Sequence, residues 1–154
     1  MTPHHLAQAN WARRIAPLED PIMRGFVEQL DEINALADAS PGFVWRLQTE
    51  DGNATDIRVF GDEELIFNMS VWESPEALRA FVYKSGHSQL LRDRGQWFHT
   101  PDRTPLVLWW IRAGSLPTLE DAEAKFTHLW EHGPTQEAFS FRESFPAPSP
   151  TQHG

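Results

Sequence analysis

The segment from residue 65 to residue 91 most constrains the fold, because it combines an alternating strand, a helix start and a helix break. Its strand has an apolar face and a second face that changes from apolar to polar and aromatic, namely Leu65, Phe67, Met69 and Val71 against Ile66, Asn68, Ser70 and Trp72. The first face is typical of a core and the second of a pocket wall. Ser74-Pro75-Glu76 then predicts a helix start, and Ser85-Gly86 ends that helix immediately before His87.

A second strand, predicted for residues 5–13, has the same unusual polarity. Gln8 and Asn10 lie in the middle of it and share a face with Leu6 and Ala12. Buried polar groups need hydrogen-bond partners, so this face is expected to meet water or a ligand.

The remaining elements follow from periodicity and from start and stop signals. Strands are predicted for residues 43–48 and 106–112, and amphipathic helices follow Asp20-Pro21 and Thr118. A further short helix is expected around residues 90–98. Two stretches keep alternatives open. Within the 49–64 insert, residues 55–60 form either a short strand or an irregular segment, and residues 139–145 form either an edge strand or an extended arm.

The order of elements predicts an α+β, ferredoxin-like βαββαβ fold with an extra C-terminal helix and arm. This fold places strands one and three side by side and both main helices on one sheet face. If the polar residues of the two strands share the helix-free face, they form a polar floor, and a second copy of the sheet is the expected cover. We expect one domain over residues 1–145 and a disordered tail over residues 146–154.

Composition excludes several functional classes. The net charge of −9 argues against nucleic-acid binding, and the absence of cysteine excludes thiolate chemistry and disulfides. No membrane span or secretory signal is evident, which predicts a cytoplasmic protein. No phosphate-binding loop, nucleophile elbow or zinc-protease motif occurs. Seven tryptophans indicate either an aromatic cavity or a subunit interface.

The stretch SVWESPEALRAFV, followed by His87, resembles the antibiotic-biosynthesis monooxygenase-like group of the dimeric α/β-barrel superfamily. Nearly the whole chain resembles an uncharacterised bacterial domain-of-unknown-function family in that superfamily, through motifs that include HLAQANWAR, SPGFVWRLQ, FVYKSGH and LVLWWI. The resemblance implies a homodimer formed through the open sheet face, and small aromatic molecules or haem held between sheet and helices. Haem-degrading members use an Asn, a Trp and a His in the elements that here contain Asn10, Trp72 and His87.

Each candidate residue also has a purely structural interpretation. Asn10 either binds a ligand or bonds locally to the backbone, and Asn68 and Ser70 either face a pocket or satisfy each other across strands. Trp72 is either a pocket wall or a core plug. His87 is either a proton acceptor or iron ligand, or else a helix-cap or surface histidine.

Three further candidates complete the predicted site. Trp45 and one of Trp109 or Trp110 (Trp110 is favoured) line its walls, and Arg46 meets a carboxylate or propionate, or lies at a sheet edge. His128 and His132 have the spacing of a ligand pair, but no third ligand accompanies them, so no metal site is predicted.

The leading hypothesis is a monooxygenase-like oxidoreductase that acts on a small planar or aromatic molecule in a pocket between sheet and helices. His87, Asn10 and Trp72 are its catalytic candidates, and the ligand-binding candidates are Gln8, Trp45, Asn68, Ser70, Trp110 and Arg46. The first alternative is a haem protein with His87 as axial ligand, and the second is a non-catalytic small-molecule carrier. The cofactor is therefore either none or haem.

Overall fold

A computed structural model describes residues 4–48, 58–84 and 94–148. The strands and helices in these ranges are β1 (His4–Arg13), α1 (Arg24–Ala39), β2 (Phe43–Arg46), β3 (Leu65–Trp72), α2 (Pro75–Lys84), β4 (Leu106–Arg112) and α3 (Leu119–His132). Single 3-10 turns occur at Pro21–Met23, Val59–Gly61 and Arg94–Gln96. No helix in the described ranges is long and apolar enough to cross a membrane.

The helix starts that the sequence predicts are confirmed by their capping contacts. The Asp20 carboxylate accepts the N–H of the residue two positions later at 3.0 Å. The Ser74 hydroxyl accepts an N–H three positions later at 3.1 Å. Thr118 and Asp121 form a reciprocal capping box, with distances of 2.9 and 3.1 Å. These side chains satisfy N–H groups that have no partner inside the helix.

The four strands form one antiparallel sheet in the order β2-β3-β1-β4. This is the predicted ferredoxin-like topology, with β1 and β3 adjacent at the centre. In their register, Gln8 lies opposite Ser70 and Asn10 lies opposite Asn68. The polar residues that the sequence marks on two separate strands are therefore neighbours on one sheet face.

Helices α1 and α2 cover the face that carries these polar residues. Leu6, Trp72 and Leu108 lie on that face and pack in one cluster with Leu78 and Phe81 of α2. A second cluster, further along the same face, joins Met23, Phe26 and Trp97 to Ile66. The polar floor was predicted on the condition that these residues share the helix-free face, and the structure does not meet that condition. Alternation along a strand determines which side chains share a face, but it does not determine which face receives the helices.

The opposite face is covered by α3. Phe67, Val107 and Trp109 are at most 2% exposed, and they pack in one cluster with Phe126 and Leu129 of α3. The surface that was expected to be open for a second subunit is therefore buried by the same chain. Helix α3 is amphipathic, and its apolar stripe is buried against this sheet face.

A bulge in β2 changes which face its aromatic residues occupy. Phe43 pairs with Trp72, whereas Trp45 pairs with Val71, so the register shifts between Phe43 and Trp45. Phe43 consequently contacts the helix-facing cluster, and Trp45 packs on the α3 side. The sequence prediction assumed strict alternation, which does not allow for the one additional residue that a bulge inserts into a strand.

The C-terminal segment is an extended arm, as one of the two sequence alternatives stated. Phe139 exchanges two backbone hydrogen bonds with Leu108, at 2.8 and 2.9 Å, which makes a single bridge beside β4. Further along, the Trp110 indole N–H donates to the Phe145 carbonyl at 2.9 Å. Of the remaining predictions, residues 55–57, residues 90–93 and residues 149–154 lie outside the described residues. The described ends of the 55–60 stretch and of the predicted 90–98 helix overlap the 3-10 turns Val59–Gly61 and Arg94–Gln96.

Candidate functional site

Four uncharged polar side chains form a strip across the centre of the helix-facing sheet surface. We call Gln8, Asn10, Asn68 and Ser70 the amide strip. Gln8 is 4% exposed and Ser70 is 6% exposed, whereas Asn10 and Asn68 are half-buried. Apolar clusters flank the strip along the same face. A polar strip within an otherwise apolar layer is costly unless its groups are hydrogen-bonded.

The strip is connected by its own hydrogen bonds. The Gln8 amide Nε2 donates to Asn68 Oδ1 and to Ser70 Oγ, both at 2.8 Å. Asn10 Nδ2 donates to Gln8 Oε1 at 2.9 Å and to Asn68 Oδ1 at 3.4 Å. Asn68 and Ser70 are thus joined through Gln8 rather than bonded directly to each other.

Trp72 belongs to this network as well as to the core. Its indole N–H donates to Ser70 Oγ at 2.8 Å. Its ring is 1% exposed and stacks on Phe81, with centroids 5.2 Å apart, while Phe43 meets it edge-on at 5.4 Å. Trp72 therefore closes one end of the amide strip and fixes Ser70 Oγ as an acceptor, because an indole N–H only donates.

Arg46 lies at the β2 end of the same face, opposite Ser70 in the strand register. Its Nε donates to Asp38 Oδ1 at 2.8 Å and its Nη2 donates to Asp38 Oδ2 at 3.3 Å. The two contacts make a bidentate ion pair between β2 and α1. Sequence analysis missed Asp38, because an aspartate on the polar side of an amphipathic helix carries no signal of its partner.

The structure does not bring all the predicted site residues together. Trp45 packs on the α3 side of the sheet, away from the amide strip. Trp110 lies on the helix-facing side, but its indole N–H is bonded to the C-terminal arm. His87 lies outside the described residues. Gln8, Asn10, Asn68, Ser70 and Trp72 form one connected group, and Arg46 borders it.

Other titratable groups lie away from the strip. The Asp62 carboxylate accepts the Glu64 N–H at 2.9 Å and pairs with Arg13 at 3.0 Å. The backbone hydrogen bond and the adjacent guanidinium lower the pKa of Asp62 below its ordinary value. These contacts tie the end of β1 to the turn before β3, so their role is structural.

Two other features lie outside the amide strip. His128 Nε2 lies 3.0 Å from the Thr135 hydroxyl, and the described residues contain no cluster of three metal-ligating side chains. An open groove of about 630 Å³ is lined by the turn at residues 40–42 and by residues of α2, with Glu73 and Glu76 among its lining residues. None of the predicted site residues lines that groove.

The fold and the strip together define a small α+β protein with a ferredoxin-like sheet and an uncharged polar site under two helices. The chain belongs to the family described as "Domain of unknown function (DUF3291)", whose model matches residues 5–153. The predicted membership of an uncharacterised family is therefore confirmed. No curated protein matches the chain in sequence.

Several solved structures of low sequence identity resemble the chain. One is a protein of unknown function from Nitrosomonas europaea, with 13% identity, coverage of 75% of this chain and 96% of that one, and a TM-score of 0.46. The second is a putative antibiotic biosynthesis monooxygenase from Chloroflexus aurantiacus, with 16% identity, coverage of 75% and 98%, and a TM-score of 0.41. The third is from Pseudomonas aeruginosa, with 14% identity, coverage of 76% and 97%, and a TM-score of 0.43.

Proposed function

We propose that the protein binds a small planar or aromatic organic molecule at the amide strip, between the sheet and helices α1 and α2. The observation that carries this proposal is a continuous network of uncharged side chains that is only partly buried at Asn10 and Asn68, within an apolar face. Ligand sites are mostly apolar and contain a few convergent polar groups that orient the ligand.

The surroundings of the strip suit a flat ligand. Trp72 and Phe81 stack at one end. Phe26 meets Trp97 and Phe98 in the apolar cluster beyond the other end, with centroids 6.0 and 4.9 Å apart. Aromatic side chains of this kind favour planar partners through stacked and edge-on contacts.

Oxygenation is the finer part of the proposal and rests on the sequence resemblance. In that chemistry the Asn10 and Asn68 amides would hold an oxyanion, and His87 would act as general base. The described residues of the strip supply the amides but no base, so the structure supports binding more directly than turnover.

The haem alternative assigns the axial ligand to His87, which lies outside the described residues, and the strip itself supplies no iron ligand. Haem iron takes an imidazole, thiolate, thioether or phenolate ligand, whereas the strip contains amides and a hydroxyl. Arg46, the candidate partner for a propionate, is already bonded to Asp38.

The homodimer stays a prediction, and so does the cytoplasmic location. A dimer that used the sheet face would have to displace α3 from Phe67, Val107 and Trp109. Sedimentation equilibrium at micromolar concentration measures the association directly.

Binding is tested with 2-naphthol as the planar probe, by ligand-observed NMR. We expect Asn10→Ala to weaken binding about tenfold or more, because it removes a hydrogen-bonding group at the half-buried edge of the strip. Gln96→Ala, at an exposed position outside the sheet, serves as the control and should bind like the wild type. Equal affinity of wild type and Asn10→Ala would remove the strip as the site.

Oxygen uptake with the same probe separates an enzyme from a carrier. Uptake by the wild type that is lost in His87→Ala supports oxygenation. Binding without uptake supports the carrier alternative.

A further inference from the structure

We infer that the ligand presents to the amide strip a neutral edge with one hydrogen-bond donor beside one acceptor, as a carboxamide or lactam does. This inference rests on the proposed function, since it specifies the polar group that the same site recognises. It follows from counting the hydrogen-bonding capacity of the strip.

Most of that capacity is used within the strip. Both hydrogens of Gln8 Nε2 are donated, to Asn68 and to Ser70, and Gln8 Oε1 accepts from Asn10. Asn68 Oδ1 accepts two hydrogen bonds, and Asn10 Nδ2 donates two. Among the described residues, Asn10 Oδ1, Asn68 Nδ2 and the hydroxyl hydrogen of Ser70 remain without partners. Ser70 is almost fully buried, so the two amide groups are the ones at the accessible edge. Asn10 Oδ1 is an acceptor and Asn68 Nδ2 is a donor.

The two residues that carry these unused amide groups are neighbours across the strands. Asn10 and Asn68 are direct partners in the antiparallel register of β1 and β3, and one hydrogen bond joins their amides at 3.4 Å. Both side chains are half-buried, whereas Gln8 and Ser70 behind them are almost fully buried. The accessible edge of the strip therefore offers one acceptor next to one donor.

This complementarity survives rotation of the amides. If the amides of Gln8, Asn10 and Asn68 all turn by 180°, the same contacts form with reversed direction. Gln8 Oε1 then accepts from Asn68 and from the Ser70 hydroxyl, which can still accept the Trp72 N–H. Gln8 Nε2 donates to Asn10. The accessible edge now consists of Asn10 Nδ2 and Asn68 Oδ1, which is again one donor and one acceptor.

The same count disfavours an anionic edge. A carboxylate has only acceptors and would place one of its oxygens against the acceptor of the strip. An ester has no donor and leaves that acceptor unpaired, which is costly at a half-buried site. A carboxamide satisfies both positions.

The first experiment measures the affinities of three matched probes: 2-naphthamide, 2-naphthoate and methyl 2-naphthoate. Ligand-observed NMR gives the dissociation constants for the full-length protein. We expect 2-naphthamide to bind about tenfold or more tightly than either of the others.

The second experiment changes the edge by single isosteric substitutions. In Asn10→Asp the carboxylate only accepts, so Gln8 and Asn68 must donate to it and both accessible groups become acceptors. In Asn68→Asp the carboxylate accepts from Gln8 and Asn10, and both accessible groups are again acceptors. Each variant should lose affinity for 2-naphthamide and gain affinity for 2-naphthamidine, whose cation presents two donors. Gln96→Glu adds the same charge at an exposed site and should change neither preference. Circular dichroism establishes that each variant is folded.

The outcomes separate the inference from the proposed function. If no naphthalene probe binds the wild type, the proposed function fails and the inference fails with it. If 2-naphthoate binds as tightly as 2-naphthamide, binding stands and the inference is overturned. It is also overturned if folded Asp variants keep the wild-type preference, or if Gln96→Glu produces the same switch.

Discussion

Replacement of Ser70 by alanine tests whether the amide strip holds the core together as its hydrogen bonds indicate. Ser70 Oγ accepts from Trp72 Nε1 and from Gln8 Nε2, both at 2.8 Å, at a side chain that is 6% exposed. The substitution leaves the Trp72 donor without an acceptor, whereas Gln8 keeps its bond to Asn68. An orphaned buried donor costs about 1–3 kcal/mol. We therefore expect Ser70→Ala to lower the free energy of unfolding by about 2 kcal/mol.

The measurement is urea unfolding followed by circular dichroism, in a double-mutant cycle with Trp72→Phe. The phenylalanine has no N–H to orphan, so Ser70→Ala should cost about 1 kcal/mol less in that background. The cycle cancels the energetic cost of the cavity that the smaller ring leaves beside Phe81 and Phe43. A loss below about 0.5 kcal/mol for Ser70→Ala, or additive costs in the cycle, would refute the reasoning, because that is the range of an ordinary surface substitution.

Two further predictions concern the turns around the sheet. At Gly42, φ is +83° and an added Cβ would lie 2.5 Å from Ala77 Cβ, so Gly42→Ala should destabilise the protein by about 2–3 kcal/mol in urea unfolding. Gly114→Ala, with φ +94° and open space around it, isolates the backbone strain and should cost about 1 kcal/mol; equal losses would contradict the clash. Because the folded pKa of Asp62 is lowered, its contribution is present above its ordinary pKa of 3.8 and disappears as the pH falls through the folded value. Asp62→Asn should thus be less stable than the wild type at neutral pH by at most about 1 kcal/mol, and the difference should shrink as the pH falls below 3.8; a difference that does not change with pH would contradict this assignment.

Several elements could be predicted because their signals are local. The capping residues Asp20, Ser74 and Thr118 start helices as expected. Strand β3 has the predicted extent, Leu65–Trp72. Caps act within one helical turn and strand alternation acts between successive residues, so neither depends on distant parts of the chain.

The candidate site was predictable only in part, for the same reason. The polar residues of two strands could be identified, and the topology brought Gln8 and Asn10 beside Ser70 and Asn68. The bulge that turns Trp45 to the other face leaves no mark in an alternating sequence. The pairing of Arg46 with Asp38 depends on how α1 lies over β2.

By itself, the sequence determined the strands, the helix starts, the ferredoxin-like order and the existence of a polar face on two central strands. Only the tertiary structure decided which side of the sheet that face occupies. An amphipathic helix specifies that its apolar stripe is buried, but not against which surface. Once α3 packs against Phe67, Val107 and Trp109, that side of the sheet is filled. The amide strip then lies under α1 and α2, where Asn10 Oδ1 and Asn68 Nδ2 have no partner among the described residues.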